Sequence, residues 1–132
     1  MFGMLGMATL PAGAADPVPL FDGMSFDGWN GDIEKIWRID DGAIVAGSPD
    51  AAAARNEFLA TDREFENFEL KFDYRMDCTG GCNAGVQFRS KRVPNHHEVS
   101  GYQADIAPGI TDGLYDESYR NLRITELPAP RP

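Results

Sequence analysis

Cysteine and histidine are scarce in this chain, with two of each among 132 residues. Two thiols are too few for a four-cysteine zinc site, so this usage excludes one. The two cysteines, Cys78 and Cys82, stand in CTGGC, which is not a CxxC redox motif. Two glycines between them permit a tight loop. In an exported chain a small disulfide closing that loop is expected, with a pair of free thiols as the alternative. So short a loop gains little closure entropy, and the value of the bond would be local rigidity. Positive charge is also sparse: 12 Lys+Arg face 21 Asp+Glu, a net charge of −9. That balance argues against nucleic acid as a partner and against an anionic membrane surface. A neutral small molecule such as a sugar meets no such opposition, although solubility alone accounts for much of the charge. No apolar run approaches the ~20 residues that a membrane-spanning helix needs.

What is present begins with residues 1–15, MFGMLGMATLPAGAA, an apolar stretch ending in small residues as a secretory signal does. Ala12-Gly13-Ala14 and Gly13-Ala14-Ala15 are both acceptable cleavage sites. No Lys or Arg precedes the apolar run, as though the start codon were placed too far downstream. The segment reads as the remnant of a signal peptide, and the chain as exported to the periplasm or the cell exterior. Residues 16–132 are enough for one domain.

Turn chemistry and alternation make that domain all-β. WRID, the turn Asp41-Gly42 and AIVA form a hairpin over Trp37–Ala46. Glu57–Thr61 reads as a strand. FELKFDYRM, Phe68–Met76, alternates without a break, with Phe68, Leu70, Phe72, Tyr74 and Met76 on the core side. Ala84–Arg92 and Glu98–Ile106 form a second hairpin across Val93-Pro94-Asn95-His96-His97, where proline presets φ and asparagine tolerates a tight turn. Alternation in this hairpin puts Gln87, Arg89, Gln103 and Asp105 on one surface, with a bulge allowed at Gly101. An ordinary solvated face is the plain reading of such a pattern. Uncharged amides beside the charges, nearby glycines, and His96, His97 and Glu98 at the turn favour a site. Leu114–Ser118, LYDES, is a short extended segment. After Asn121 the pattern stops, and LRITELPAPRP resembles no closing strand.

The strings NEFLATDREFENFEL, NAGVQFRSKRVPNHHEVSGYQADI and LYDES, with the opening LFDGMSFDGWNG, resemble the 3-keto-disaccharide hydrolase domain family. The resemblance runs from Leu20 to Asn121. It implies a concanavalin A-like jelly-roll β-sandwich and activity on sugars oxidised at C3. Roughly six strands are legible, against the eight or so that close a jelly roll. The resemblance therefore implies further strands, and the chain is expected to lack its C-terminal part and to be marginally stable.

A ketone at C3 acidifies the C2 proton, so elimination expels the glycosidic oxygen from C1, and water then adds back. Such chemistry needs a base near C2, a stabiliser for the enolate oxygen and an acid for the leaving oxygen. Glu98 or His97 is the candidate base and Glu117 the second acid/base candidate. Gln103 and Asp105, with Gln87 beside them, are placed on the sugar hydroxyls, Arg89 on the oxyanion, and Tyr115 at the edge of the site. A divalent metal ion is an alternative stabiliser, with His97 and Glu98 as its ligands. A non-catalytic sugar-binding module and an inactive relic are the competing readings.

Overall fold

The computed structural model describes residues 16–48, 50, 51, 53–77, 82–107 and 110–126. Their strands are β1 (Trp29–Asn30), β2 (Trp37–Asp40), β3 (Ala43–Ala46), β4 (Ala60–Thr61), β5 (Ala84–Arg92), β6 (Val99–Ala107), β7 (Ile110–Glu117) and β8 (Leu122–Glu126). No helix occurs among the described residues, so none there crosses a membrane. All pairings are antiparallel, and the all-β class follows. The signal-like residues 1–15 and Cys78 lie outside the described residues.

Local chemistry explains both hairpins. At the β2–β3 turn Asp41 and Gly42 take φ of 47° and 75°, the left-handed pair whose twist matches the flanking strands. At the β5–β6 turn Asn95 takes φ of 57°, and Val93 N–H donates to the Glu98 carbonyl at 2.9 Å. β5, β6, β7 and β8 then form one sheet in sequence order. Arg92, at the end of β5, donates to the Asn30 and Phe58 carbonyls, both at 3.0 Å. It thereby ties this sheet to the short β1–β4 ribbon.

Three expectations need correction. Phe68–Met76 contains no strand. Its alternation is suited to a sheet, but a strand exists only through hydrogen bonds to a neighbour, and among the described strands it pairs with none. Phe68, Phe72 and Tyr74 are accordingly 55%, 50% and 56% exposed. Conversely, Leu122–Glu126 is a strand, paired with β7. Ser118 and Asn121 both take left-handed φ, 54° and 51°, and Ser118 N–H donates to Asn121 Oδ1 at 3.0 Å. That short reversal returns the chain before the terminal prolines, and its charged character is what a sheet edge tolerates. Of the expected strand Glu57–Thr61, only Ala60–Thr61 pairs, with β1.

A bulge sets the faces of the large sheet. The ladder passes from Phe88↔Tyr102 directly to Lys91↔Ser100, leaving Arg89 and Ser90 opposite Gly101. The extra residue is therefore on β5, not at Gly101. Gly101 is what admits it: an added Cβ would lie 2.5 Å from Ser90 Cα and 2.7 Å from the Arg89 carbonyl oxygen. Backbone cannot retreat as a flexible side chain can. Gly101→Ala is expected to destabilise the β5–β6 hairpin by roughly 1–3 kcal/mol, measured as faster amide exchange along β6.

Candidate functional site

Residues opposite one another in an antiparallel ladder share a face. Gln87, Gln103, Tyr115 and Arg123 form one row across the four strands. Gly85, Asp105 and Gly113 form the next row on that face, and Gly101 pairs with Glu117. The other face carries Phe88, Tyr102 and Asp116 in one row and Val86, Ala104 and Leu114 in another.

The polar row is wired in sequence. Ser90 Oγ donates to Gln87 Oε1 at 2.8 Å, Gln87 Nε2 to Gln103 Oε1 at 2.8 Å, and Gln103 Nε2 to Asp105 Oδ1 at 2.8 Å. Each dipole points its donor toward the next acceptor, and the series ends on a carboxylate, an arrangement in which neighbouring bonds polarise one another. Gln103 and Asp105 are each 7% exposed. Gly85 makes this possible, because a Cβ there would sit 2.5 Å from Gln103 Cγ.

Arg89 does not join them, which corrects the expected grouping. At φ 51° it occupies the bulge, so Ser90 turns to the polar face in its place. Arg89 instead lines a shallow pocket of about 240 Å3 with Tyr102, Asp116, Tyr119 and Arg120, on the face opposite Asp105. Asp116 there is 3% exposed and accepts from Arg120 Nε at 2.5 Å.

The acid/base candidates gather at the hairpin end. Glu117, 8% exposed, has its carboxyl held above the ordinary value, first by burial and then by the charges of Glu98 and Asp105. Glu98 Oε2 accepts from Ser118 Oγ at 3.2 Å. Its Oε1 lies 3.5 Å from His97 Nδ1, a buried atom that makes no hydrogen bond. His96 and His97 rings stand 4.3 Å apart, and His96 Nδ1 accepts from the Glu98 N–H at 3.3 Å. The bend of the turn thus brings His97 and Glu98 together, although neighbours on a regular strand would point apart. Among the described residues no group of three or more His, Cys, Asp or Glu is placed to hold a metal ion. His97 and Glu98 therefore lack a third protein ligand among the described residues. Cys82 is disulfide-bonded, and among the described residues no cysteine is free.

Gln87, Gln103, Asp105, Tyr115 and Glu117 thus share a face, with Glu98 and His97 at its end. Ser90 and Arg123 complete it and were not legible beforehand. Ser90 lies on the wrong parity until the bulge is known, and Arg123 belongs to a strand that its own sequence conceals. A family profile described as 3-keto-alpha-glucoside-1,2-lyase-like domain matches residues 16–125. The chain is also 30% identical over 91 residues to a protein of Bacteroides thetaiotaomicron named 3-keto-disaccharide hydrolase. That alignment takes in 64% of this chain and 31% of the relative, so the chain spans about a third of the relative's length. No solved structure matches.

Proposed function

Because the chain belongs to the 3-keto-alpha-glucoside-1,2-lyase-like domain family, we propose that it cleaves the glycosidic bond of 3-keto-glycosides or 3-keto-disaccharides by elimination and rehydration. A base removes the C2 proton, and the electron pair passes into the C3 carbonyl as an enolate. The enolate collapses, C3=O re-forms, a C1=C2 double bond appears and the C1–O bond breaks. The departing oxygen takes a proton from the acid. Water then adds across C1=C2, its hydroxyl to C1 and its proton to C2, and the sum is hydrolysis.

The observation that carries this reading is the contrast between Glu98 and Glu117. Glu117 is buried beside two other carboxylates, and burial first and then those charges raise its carboxyl above the ordinary value, a direction that suits the acid that protonates the leaving oxygen. Glu98, fixed by Ser118 and beside His97, suits the base at C2. Gln87, Gln103 and Tyr115 line the face against which sugar hydroxyls would lie. The signal-like start and the disulfide at Cys82 support a place of action outside the cytoplasm.

The test is release of free sugar from a 3-keto-disaccharide, with exchange of the C2 hydrogen against deuterated water followed in parallel. Glu98→Gln is expected to slow both by about 10²–10⁴-fold, the usual contribution of a positioned base. Asp105→Asn is expected to lower turnover while the β5–β6 amides stay protected. Arg89→Ala is expected to leave turnover within about twofold, because its side chain lies on the other side of the sheet. Sugar binding without C2 exchange in the parent chain would favour a non-catalytic carbohydrate-binding module instead.

A further inference from the structure

We infer that Arg123 is the group that meets negative charge on the C3 oxygen of the sugar, with Asp105 as its positioning residue. This rests on the elimination reading above and assigns to Arg123 the role that alternation had given to Arg89.

Placement comes first. Arg123 stands at the end of the row Gln87–Gln103–Tyr115, on the face that also bears Asp105 and Glu117. Other basic side chains of this sheet and its turns are placed differently: Lys91 stands opposite Ser100, in line with the reverse face. Arg89 lines the pocket on the reverse face, Arg92 is bound to Asn30 and Phe58, and Arg120 is paired with Asp116.

The glycine pattern then shows how the guanidinium is seated. Asp105 has a glycine on either side of it in the ladder, Gly85 on β5 and Gly113 on β7. Gln103 fills the gap over the first and Arg123 the gap over the second. A Cβ at Gly113 would lie 2.8 Å from Arg123 Nη1, 3.4 Å from its Cζ and 3.4 Å from Asp105 Oδ2. The side chain therefore crosses the strand where only glycine leaves room. Its Nη2 comes to 3.6 Å from Asp105 Oδ2. Exposure separates the two partners: the Asp105 side chain is 6% exposed and that of Arg123 is 31%. The carboxylate is covered, with Oδ1 already taken by Gln103, while the guanidinium reaches the surface where a ligand would lie.

Chemistry supplies the role. In the elimination the electron pair released at C2 resides on the C3 oxygen before it returns to expel the leaving group. A guanidinium keeps its charge at every working pH and offers donors in a fixed plane, so it stabilises that oxygen without entering the proton count. A covered carboxylate behind it fixes its orientation and holds the positive charge on that face.

The experiment compares Arg123→Ala, Arg123→Lys and Gly113→Ala with the parent chain on a 3-keto-disaccharide, reading kcat, KM and C2 exchange, with and without millimolar guanidinium. Arg123→Ala is expected to lower kcat by about 10²–10³-fold, with a much smaller change in KM. Added guanidinium is expected to restore kcat at least about tenfold, because the cavity left behind is shaped for it. Arg123→Lys should fall between, and Gly113→Ala should resemble Arg123→Ala by pushing the side chain off Asp105. Arg123→Ala within about threefold of the parent, or a loss that guanidinium does not relieve, overturns the inference while leaving the hydrolase reading standing. A parent chain that neither exchanges the C2 hydrogen nor releases sugar overturns both.

Discussion

Replacing Glu117 by glutamine is expected to cut glycosidic cleavage by about 10²–10⁴-fold, the span over which a positioned general acid contributes, and at the same time to steady the strands that hold it. Both effects have one cause. Glu117 is buried and faces Glu98 and Asp105, which raise its carboxyl above the ordinary 4.5. As an acid it works only while protonated, so the parent rate should fall as pH rises through that raised value, and this limb should vanish in Glu117→Gln. For stability the sign is the same. Between the unfolded and folded values the folded chain binds the proton more tightly than the unfolded chain does. Its contribution is fully present below the unfolded value and is lost as pH rises through the folded one. Glutamine keeps the shape and never ionises. Its advantage should therefore be absent under acid conditions and appear towards neutrality, read as slower amide exchange in β6 and β7. An equal effect of the substitution at acid and neutral pH would show that Glu117 is not charged against its surroundings.

The parts of the fold that could be read from sequence are those fixed by neighbours along the chain. Asp41-Gly42 dictates its turn through φ alone, and Pro94-Asn95 nearly as well, so β2, β3, β5 and β6 emerge within a residue or two of their bounds. What failed depends on contacts distant in sequence. Alternation in Phe68–Met76 reports a preference for two unlike faces, whereas a strand also needs a hydrogen-bonded neighbour, and this segment has none among the described strands. The parity of Arg89 is correct for a regular ladder and wrong for this one, because a bulge opposite Gly101 inserts one residue and exchanges the two sides. The site followed the same rule. Gln87, Gln103 and Asp105 precede the bulge or lie on the regular strand, and they came together as alternation requires. Arg123 was invisible because β8 is short, charged and bulged where Tyr115 follows Leu114. Its significance lies in Gly113, one strand away, and no local pattern reports an empty space.

The isolated 132-residue chain is expected to unfold without a sharp transition and to bind a hydrophobic dye before it is heated. Among the described residues only Val99 and Ala107 are buried apolar side chains, and no large side chain is fully enclosed. Met24, Phe68, Phe72, Tyr74 and Tyr119 are all at least half exposed. Each large apolar side chain left in water forgoes ~1.5–3 kcal/mol, and a whole domain is stable by only ~5–15 kcal/mol. A few such losses are enough to consume the margin. Most buried positions of the large sheet are instead polar: Gln103, Asp105, Asp116 and Glu117. Hydrogen bonds among them give unique geometry but little net free energy, about 1 kcal/mol each. The molecule is thus specified more strongly than it is stabilised. The sheet's outer strands, β5 and β8, and its uncovered apolar face favour self-association at raised concentration. Calorimetry decides the matter. A single concentration-independent peak for the monomer at ordinary mesophilic temperature, with an enthalpy near ~0.7 kcal/mol per residue, would mean that the apolar side chains exposed here are covered in solution, Phe68–Met76 foremost among them.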